Sequence, residues 1–164
     1  MSLQEAFLSD LSLLVGKECW GLVGGGGTGS VISLKIGART LRHKPVNNPH
    51  LSDLVQRYTS AYSLMLWCPW RIDSNSAVVS GSHMENSNEG PMIRGYRSIL
   101  GQKITTVTCS APAFDLRLEF ANQHTLLVHC SSIGKAYEEC YTFGAPLGYY
   151  RVRLDGELDF EARD

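Results

Sequence analysis

Residues 14–19 read LVGKEC, and residues 99–104, which lie 85 positions later, read ILGQKI. Each stretch is followed by a segment in which every second residue is apolar. These apolar positions are Ile32, Leu34 and Ile36 after the first stretch, and Leu116, Leu118 and Phe120 after the second. A strand with one buried face requires this period of two. The sequence therefore predicts a β-rich unit that occurs twice.

The order of the following segments also matches between the two units. Short turns at residues 37–39 and 122–124 lead into predicted strands at 40–43 and 125–129. A helix is predicted over residues 48–58, with Asn48 as its cap and Pro49 in its first turn. Its counterpart in the second unit is predicted over residues 132–140.

Both units are predicted to end in a hairpin. Strands at 66–73 and 148–154 carry the related triplets Trp70-Arg71-Ile72 and Tyr150-Arg151-Val152. Closing strands are predicted at 77–80 and 157–160. The dipeptide Asp155-Gly156 before the last strand is typical of a tight hairpin turn.

Each unit is also predicted to begin with a helix. Residues 2–5 fit a capping box, and a shorter helix is predicted over residues 92–100. The fold class that follows is α+β, with two similar β-rich units over residues 1–81 and 92–164 and a polar, mobile linker over 82–91. Strands are mostly antiparallel, with one or two short helices a unit. Because about 80 residues form only a marginal core, we expect one structural domain with a shared core.

Composition excludes several classes of protein. Hydrophobic residues form 43% of the 164-residue chain and charged residues 19%, which is typical of a folded globular protein. Fifteen basic residues oppose sixteen acidic ones, so we expect neither nucleic acid nor an anionic membrane surface as a partner. Apolar runs are also much shorter than the roughly 18 residues of a membrane span.

The cysteines favour a reducing compartment. Their number is odd, no C-x-x-C pair occurs, and residues 1–5 lack the basic and apolar features of a secretion signal. We therefore expect a cytoplasmic protein with reduced thiols.

Metal binding is the alternative role for the cysteines. His129 and Cys130 are adjacent and would point to opposite faces of a strand, so both could not easily bind one metal ion. No metal or cofactor is predicted, because ligand pairs with the usual spacing are missing. The cysteines are Cys19, Cys68, Cys109, Cys130 and Cys140.

The glycine-rich residues 24–29 satisfy the G-x-G-x-x-G pattern of dinucleotide-binding loops. In such proteins the loop opens a helix whose N-terminus holds the pyrophosphate. Here the following residues alternate as a strand does. The P-loop pattern of phosphate-binding proteins is also excluded, because no Lys follows Gly29. We predict a flexible connection between two strands, whose tip remains available for contact with a partner.

No catalytic motif selects a set of residues. A nucleophilic Cys–His pair could use any of the cysteines and histidines, and no local motif selects one. The adjacent acids Glu138 and Glu139 could form the carboxylate pair of a hydrolase, but neighbouring acids more often lie on a solvated face. An enzyme is therefore the third hypothesis for function. It would require a cleft that joins a Cys or Glu to a His within hydrogen-bond reach.

The two aromatic–arginine strands are the predicted binding elements, because Trp, Tyr and Arg dominate the energetics of protein interfaces. Strand alternation predicts that Trp70 and Ile72 are buried and that Arg71 is exposed. In the alternative interpretation the aromatic residues belong to the core, and the arginines cap them either by stacking or by pairing with acids. Asp73 and Asp155 are near enough in sequence to be those acids. The candidate binding residues are Trp67, Trp70, Arg71, Tyr149, Tyr150 and Arg151.

Three motifs carry a resemblance to a group of known proteins. They are the G-x-x-I opening at residues 101–104, the D-L-x-L-x-F strand at 115–120 and the W-R-I-D strand at 70–73. With these motifs the chain resembles short uncharacterised bacterial proteins, some of which are regarded as immunity proteins of polymorphic toxin systems. The resemblance implies a cytoplasmic protein that binds another protein and performs no chemistry.

Two hypotheses for function therefore precede the enzyme. The first is a non-catalytic, immunity-like protein that binds another protein. The second is a small-molecule-binding protein with a pocket at the seam between the two units, where aromatic residues converge. Exposed strand edges also offer a route to a homodimer.

Overall fold

A computed structural model describes residues 1–131 and 139–164. In these ranges three α-helices, eleven β-strands and a 3₁₀ turn over Arg97–Ile99 are present. The helices are α1 (Leu3–Ser12), α2 (Asp53–Arg57) and α3 (Pro91–Tyr96). The strands are β1 (Cys19–Gly24), β2 (Ile32–Leu41), β3 (Tyr58–Leu66), β4 (Trp70–Asp73), β5 (Val78–Gly81), β6 (Ile104–Ser110), β7 (Asp115–Phe120), β8 (Thr125–Val128), β9 (Glu139–Ala145), β10 (Gly148–Arg153) and β11 (Leu158–Ala162).

The described strands form two antiparallel sheets. One sheet has the order β1-β2-β3-β9-β10-β11, and the other has the order β5-β4-β8-β7-β6. The predicted α+β class, with mainly antiparallel strands and few short helices, is confirmed. Each sheet takes strands from both halves of the chain, so neither sheet belongs to one predicted unit.

A single apolar core contains residues from both sheets and from α1 and α3. The alternating positions that the sequence indicates, among them Leu34 and Leu118, are fully buried. Phe7 of α1 joins the sheets, because its ring packs edge-on against Phe114 at 5.6 Å and Phe143 at 6.3 Å. A shared core is therefore present.

The opening helix α1 begins as the sequence predicts. The Ser2 side chain accepts a hydrogen bond from the Glu5 backbone N at 3.1 Å, and the Glu5 carboxylate accepts one from the Ser2 backbone N at 2.7 Å. This capping box satisfies donors that a helix N-terminus leaves free. None of the helices in the described ranges is long and apolar enough to cross a membrane.

The chain passes between the two sheets twice, and the described ends of the second crossing lie beside the first. After β3 it leaves the first sheet at residues 67–69, and after β8 it leaves the second sheet. The backbone N of Trp67 donates to the carbonyl of Cys140 at 2.9 Å, and the backbone N of His129 donates to the carbonyl of Pro69 at 2.9 Å. Backbone hydrogen bonds thus join the first crossing to β9 and to the residue that follows β8.

The two opening segments pair with each other. Gly16 N donates to the carbonyl of Ile104 at 2.7 Å, and Gly101 N donates to the carbonyl of Cys19 at 2.7 Å. Each bond is the counterpart of the other, since Gly101 lies 85 positions after Gly16 and Ile104 lies 85 positions after Cys19. Gly16 and Gly101 both have positive φ, at 84° and 81°, a conformation that glycine adopts without steric penalty.

The predicted turn at residues 37–39 and the separate strand at 40–43 are wrong. β2 continues through this region as one strand of ten residues. The pairing with β3 shifts register between Ile36 and Arg39, where Gly37 has a φ of 81°. A bulge of this kind bends a strand without ending it, so the turn-like sequence marks an irregularity within β2.

The helix predicted over 48–58 is shorter than expected. Ser52, not Asn48, caps α2, because the Ser52 hydroxyl accepts from Val55 N at 3.3 Å, while the Asn48 side chain accepts from His50 N at 3.0 Å. Residues 58–66 then form β3, which the sequence analysis missed. The predicted strand at 66–73 is divided, because the first crossing separates β3 from β4.

The helix predicted over 132–140 and the acid Glu138 fall mainly outside the described residues. Its last two positions, Glu139 and Cys140, belong to β9. The predicted helix at 92–100 is present as α3 and the 3₁₀ turn, and the hairpin at Asp155-Gly156 joins β10 to β11.

Residues 82–91 make defined contacts with the rest of the chain. The Asn86 side chain donates to the carbonyl of Gly29 at 2.8 Å, and Met92 N donates to the carbonyl of Glu85 at 3.2 Å. This segment leads into α3, in which Gly95 lies so close to β5 that a Cβ would overlap the carbonyl oxygen of Val79. Close packing therefore explains a glycine inside this helix.

Truncation of the central strand tests the shared core. Leu64 of β3 is fully buried, with Leu34 and Phe143 as its neighbours on the flanking strands. We expect Leu64→Ala to lower the free energy of unfolding by about 2–5 kcal/mol, because the cavity adds to the lost apolar burial. Urea unfolding measures it. Leu147→Ala, at a side chain that is 78% exposed, is the control and should change stability by less than about 0.5 kcal/mol.

Candidate functional site

The candidate residues on β4 behave as strand alternation predicts. Trp70 and Ile72 are buried, whereas the Arg71 side chain is 41% exposed. The Trp70 indole donates to the carbonyl of Ser30 at 2.7 Å. Arg71 forms a two-pronged ion pair with Asp73, at 2.7 and 2.9 Å, so the predicted pairing of this arginine is confirmed.

The candidate residues on β10 also alternate. Tyr150 is buried, and its hydroxyl donates to the Asp10 carboxylate at 2.7 Å. Burial, followed by this hydrogen bond, raises the pKa of Tyr150 to about 12. Arg151 pairs with Glu161 and with Glu139, and not with Asp155 as predicted.

The six candidate binding residues do not form one surface. Trp70 and Arg71 lie in the five-stranded sheet, while Tyr149, Tyr150 and Arg151 lie in the six-stranded sheet. β4 and β10 are each the second strand from one edge of their sheet. The two aromatic–arginine triplets therefore lie at similar places in two separate sheets. Trp67 lies in the first crossing between the sheets.

Tyr149 contributes to a basic pocket on the outer face of the six-stranded sheet. Across this sheet Lys35 pairs with Ser63, Ser63 with Gly144, and Gly144 with Tyr149. A Cβ on Gly144 would overlap the Ser63 hydroxyl, so the glycine allows Ser63 to lie against β9 beside Tyr149. The cavity has a volume of about 160 Å³. Its lining residues are Lys35, Arg42, Thr59, Ser60, Ser63, Tyr149 and Arg163.

The lining carries positive charge without a matching acid. Three of its residues are cationic and the other four carry hydroxyl groups, and none of these described lining residues is acidic. The buried Nε of Arg42 has no hydrogen-bond acceptor in the ranges that the structure describes. Burial, followed by the charge of Arg42, lowers the pKa of Lys35. A bound anion would relieve both the unpaired donor and the charge repulsion.

The C-terminal residues form one wall of the basic pocket. The Arg163 guanidinium lies 4.9 Å from the centre of the Tyr149 ring, which is a cation–π contact. Arg163 N donates to the carbonyl of Leu147 at 3.0 Å. Lys35 and Arg42 come from the first predicted unit, and Tyr149 and Arg163 come from the second. The pocket therefore lies where the two halves of the chain meet, and it is basic rather than aromatic.

The glycine-rich residues 24–29 connect two antiparallel strands, as predicted. β1 ends at Gly24 and β2 begins at Ile32. Thr28 closes the turn, because its hydroxyl donates to the carbonyl of Gly25 at 2.9 Å. The connection does not open a helix, so the geometry of a dinucleotide-binding loop is not formed.

A serine–histidine contact occurs on the other sheet. His124 Nδ1 and the Ser98 hydroxyl are 3.0 Å apart. The Asn122 side chain donates to the carbonyl of Ser98 at 2.9 Å, so the contact fastens the turn between β7 and β8 to the 3₁₀ turn. In the described residues no carboxylate hydrogen-bonds the His124 ring, and an orienting group of this kind is part of an activated nucleophile.

Three thiols converge where the chain crosses between the sheets. The Sγ atoms of Cys68, Cys130 and Cys140 all lie within 4.8 Å of one another. Sequence spacing gives no sign of this cluster, since Cys68 and Cys130 are 62 positions apart. These residues are the ones in the described ranges that could hold a metal ion.

Sequence patterns did not predict three lining residues of the basic pocket, Lys35, Arg42 and Arg163. Strand alternation could have predicted one of them. It places Lys35 on the outer face of β2, because its neighbours Leu34 and Ile36 face the core. The convergence of Lys35 and Arg42 with Arg163 depends on the pairing of β3 with β9, which links distant parts of the chain.

Comparison of the chain with protein-family models, with curated proteins and with solved structures found no match.

The coupling between the two cations of the basic pocket gives a measurable prediction. We expect Arg42→Gln to raise the pKa of Lys35, because the burial of the amine is kept while the repulsion from the guanidinium is removed. NMR titration of the Lys35 amine measures this change. Arg163→Gln is the control, since Arg163 does not contribute to the shift of Lys35. An unchanged or lowered pKa in Arg42→Gln would contradict the proposed repulsion.

Proposed function

We propose that the protein is a non-catalytic binding protein whose basic pocket holds the carboxylate or phosphate group of a small molecule. One observation carries the proposal: Arg42 and Lys35 are partly buried side by side, and the buried Arg42 Nε lacks an acceptor in the described chain. A buried donor without a partner is destabilising by about 1–3 kcal/mol. An anionic ligand would supply the acceptor and the missing negative charge.

The dimensions of the basic pocket favour one anionic group rather than a whole ligand. Sites that enclose a drug-sized molecule have volumes of about 300–1,000 Å³, whereas this cavity has about 160 Å³. Hydroxyls of Thr59, Ser60 and Ser63 line it together with the cations. Hydroxyl donors and cations hold an anion by charge-assisted hydrogen bonds. The remainder of the ligand would extend along the exposed Tyr149 and Arg163.

Titration of small anions tests the proposed function. Inorganic phosphate, a phosphorylated sugar and a dicarboxylate are suitable probes for isothermal titration calorimetry. We expect at least one of them to bind in a one-to-one ratio. Lys35→Gln and Arg42→Gln should each weaken binding by about tenfold to a hundredfold, since a hydrogen bond to a charged group contributes about 1.5–3 kcal/mol.

The matched control for this titration is Arg117→Gln. Arg117 lies on the other sheet and pairs with Glu119 at 2.9 Å, so its removal changes the net charge equally without changing the pocket. Equal weakening in the control and in the pocket variants would indicate a general charge effect. That result, or the absence of binding by all three probes, would contradict the proposal.

The binding of another protein, in the manner of an immunity protein, is the second candidate function. It is supported by a small exposed cluster at the end of the six-stranded sheet. Leu147 is 78% exposed, and next to it lie Tyr149 and Arg163, which are residue types that dominate protein interfaces. The outer strands β1, β5, β6 and β11 also support the proposal of a homodimer formed through strand edges.

Affinity capture from cell lysate tests the second function. We expect the intact chain to enrich one protein that Tyr149→Ala does not, because the exposed aromatic ring is removed from the cluster. Arg117→Ala, on the other sheet, should enrich the same protein. Enrichment that is equal in all three chains would count against the exposed cluster.

We also propose a cytoplasmic location, which the free thiols of the described residues support. They belong to Cys19, Cys68, Cys109, Cys130 and Cys140.

We also propose that the chain arose by internal duplication. The reciprocal bonds of Gly16 and Gly101 support it. So do the register shifts that follow Cys19 in β1 and Ile104 in β6. The strand pairings also make β3 and β8 counterparts. Each pairs on one side with the middle strand of its own half, β2 or β7, and on the other side with a strand of the opposite half, β9 or β4. In this scheme the counterpart of β4 is β9.

A further inference from the structure

The three-thiol cluster, defined by Cys68, Cys130 and Cys140, lies where the two crossings meet. Cys68 is in the first crossing and follows β3, Cys130 follows β8, and Cys140 is in β9. Cys68 is 6% exposed and Cys140 is fully buried, while Cys130 is partly exposed. Two of the three thiols are therefore buried, and the third, Cys130, is accessible to ions from solvent. It shares no residue with the basic pocket.

Backbone contacts hold the cysteines in place independently of their sulfur atoms. The backbone N of Cys68 donates to the carbonyl of Cys140 at 3.0 Å. The backbone N of Cys130 donates to the Asp115 carboxylate at 2.8 Å. The thiols are therefore preorganised, and a ligand would not have to gather them from distant positions.

The separation of the sulfur atoms suits a metal ion. A zinc–sulfur bond of about 2.3 Å in tetrahedral geometry places neighbouring sulfurs about 3.8 Å apart. The three Sγ atoms lie within 4.8 Å of one another, so shifts of less than about an ångström would bring them to that spacing. A disulfide, by contrast, joins two sulfurs at about 2.05 Å and would leave the third thiol unused.

Two acids act on the charge of the cluster. The Asp115 carboxylate accepts a hydrogen bond from the backbone N of Cys130 at 2.8 Å, and the charges of Asp115 and Asp155 oppose negative charge on Cys140. A cation bound to the sulfurs would reverse that opposition and would draw the thiols into the thiolate form.

We propose that Cys68, Cys130 and Cys140 form a binding site for one thiophilic d¹⁰ cation, Zn²⁺ or Cu⁺. Each sulfur forms one bond to the metal, and each thiol that is still protonated releases its proton to solvent. Soft thiolate ligands select these ions over Mg²⁺ and Ca²⁺. Three sulfurs complete the trigonal coordination of Cu⁺, whereas Zn²⁺ would keep a fourth position for water or another donor.

Competition against a chromophoric chelator tests the site on the full chain in its reduced form. Zn²⁺ and Cu⁺ are titrated in separate arms, and the ion that competes more strongly is the one that the site selects. We expect one equivalent to bind and Mg²⁺ to be ineffective. Co²⁺ should give an intense thiolate-to-metal charge-transfer band, which reports sulfur coordination directly.

Single serine variants identify the ligands. The decisive variant is Cys130→Ser, because Cys130 is partly exposed and its backbone contact with Asp115 is kept. We expect it to weaken metal binding by more than a hundredfold, since even the loss of an outer partner weakens metal binding by about 10–100-fold. Cys68→Ser and Cys140→Ser should act alike. Circular dichroism of the metal-free variants checks that they are folded.

The matched control is Cys109→Ser, which removes a partly exposed cysteine outside the cluster. It should leave the affinity and the Co²⁺ band unchanged. Binding of less than one equivalent to the reduced wild-type chain, or equal loss in Cys109→Ser and folded Cys130→Ser, would overturn the proposal. We expect Lys35→Gln to lose anion binding and to keep metal binding, because the two sites share no residue, so the two proposals can fail separately.

Discussion

The structure depends on the burial of two sheet faces in a single core to which both halves of the chain contribute. Neither sheet is complete without strands from the opposite half, since β9 lies beside β3 and β4 lies beside β8. The chain must therefore cross between the sheets twice. Backbone hydrogen bonds at the crossings satisfy polar groups that would otherwise be left without partners next to the core.

Both sites follow from this exchange of strands. Pairing of β3 with β9 brings Lys35 and Arg42 to the same surface as Tyr149 and Arg163. The crossings themselves bring the three thiols together. The two sites differ in chemistry, because the basic pocket offers hard cations and hydroxyls on an outer face, while the thiol cluster offers soft donors next to the core. One topological feature thus creates both the basic pocket and the three-thiol cluster.

Sequence patterns predicted local features well where one strand or helix decides them. Alternation identified the buried faces around Leu34 and Leu118, and the capping box at Ser2 located α1. The predicted turn at residues 37–39 was wrong because a bulge at Gly37 uses the same residues as a turn. The sites could not be predicted, because their residues converge only through pairings between distant strands, and spacing along the chain carries no record of them.

Strand exchange also has a consequence for synthesis on the ribosome. β3 is translated more than seventy residues before its neighbour β9. The six-stranded sheet therefore cannot form until β9 has left the ribosome. Until then an apolar edge of the nascent chain is exposed to other chains. Such long-range pairing slows folding, so the growing polypeptide is a natural client for chaperones that shield unfinished sheets.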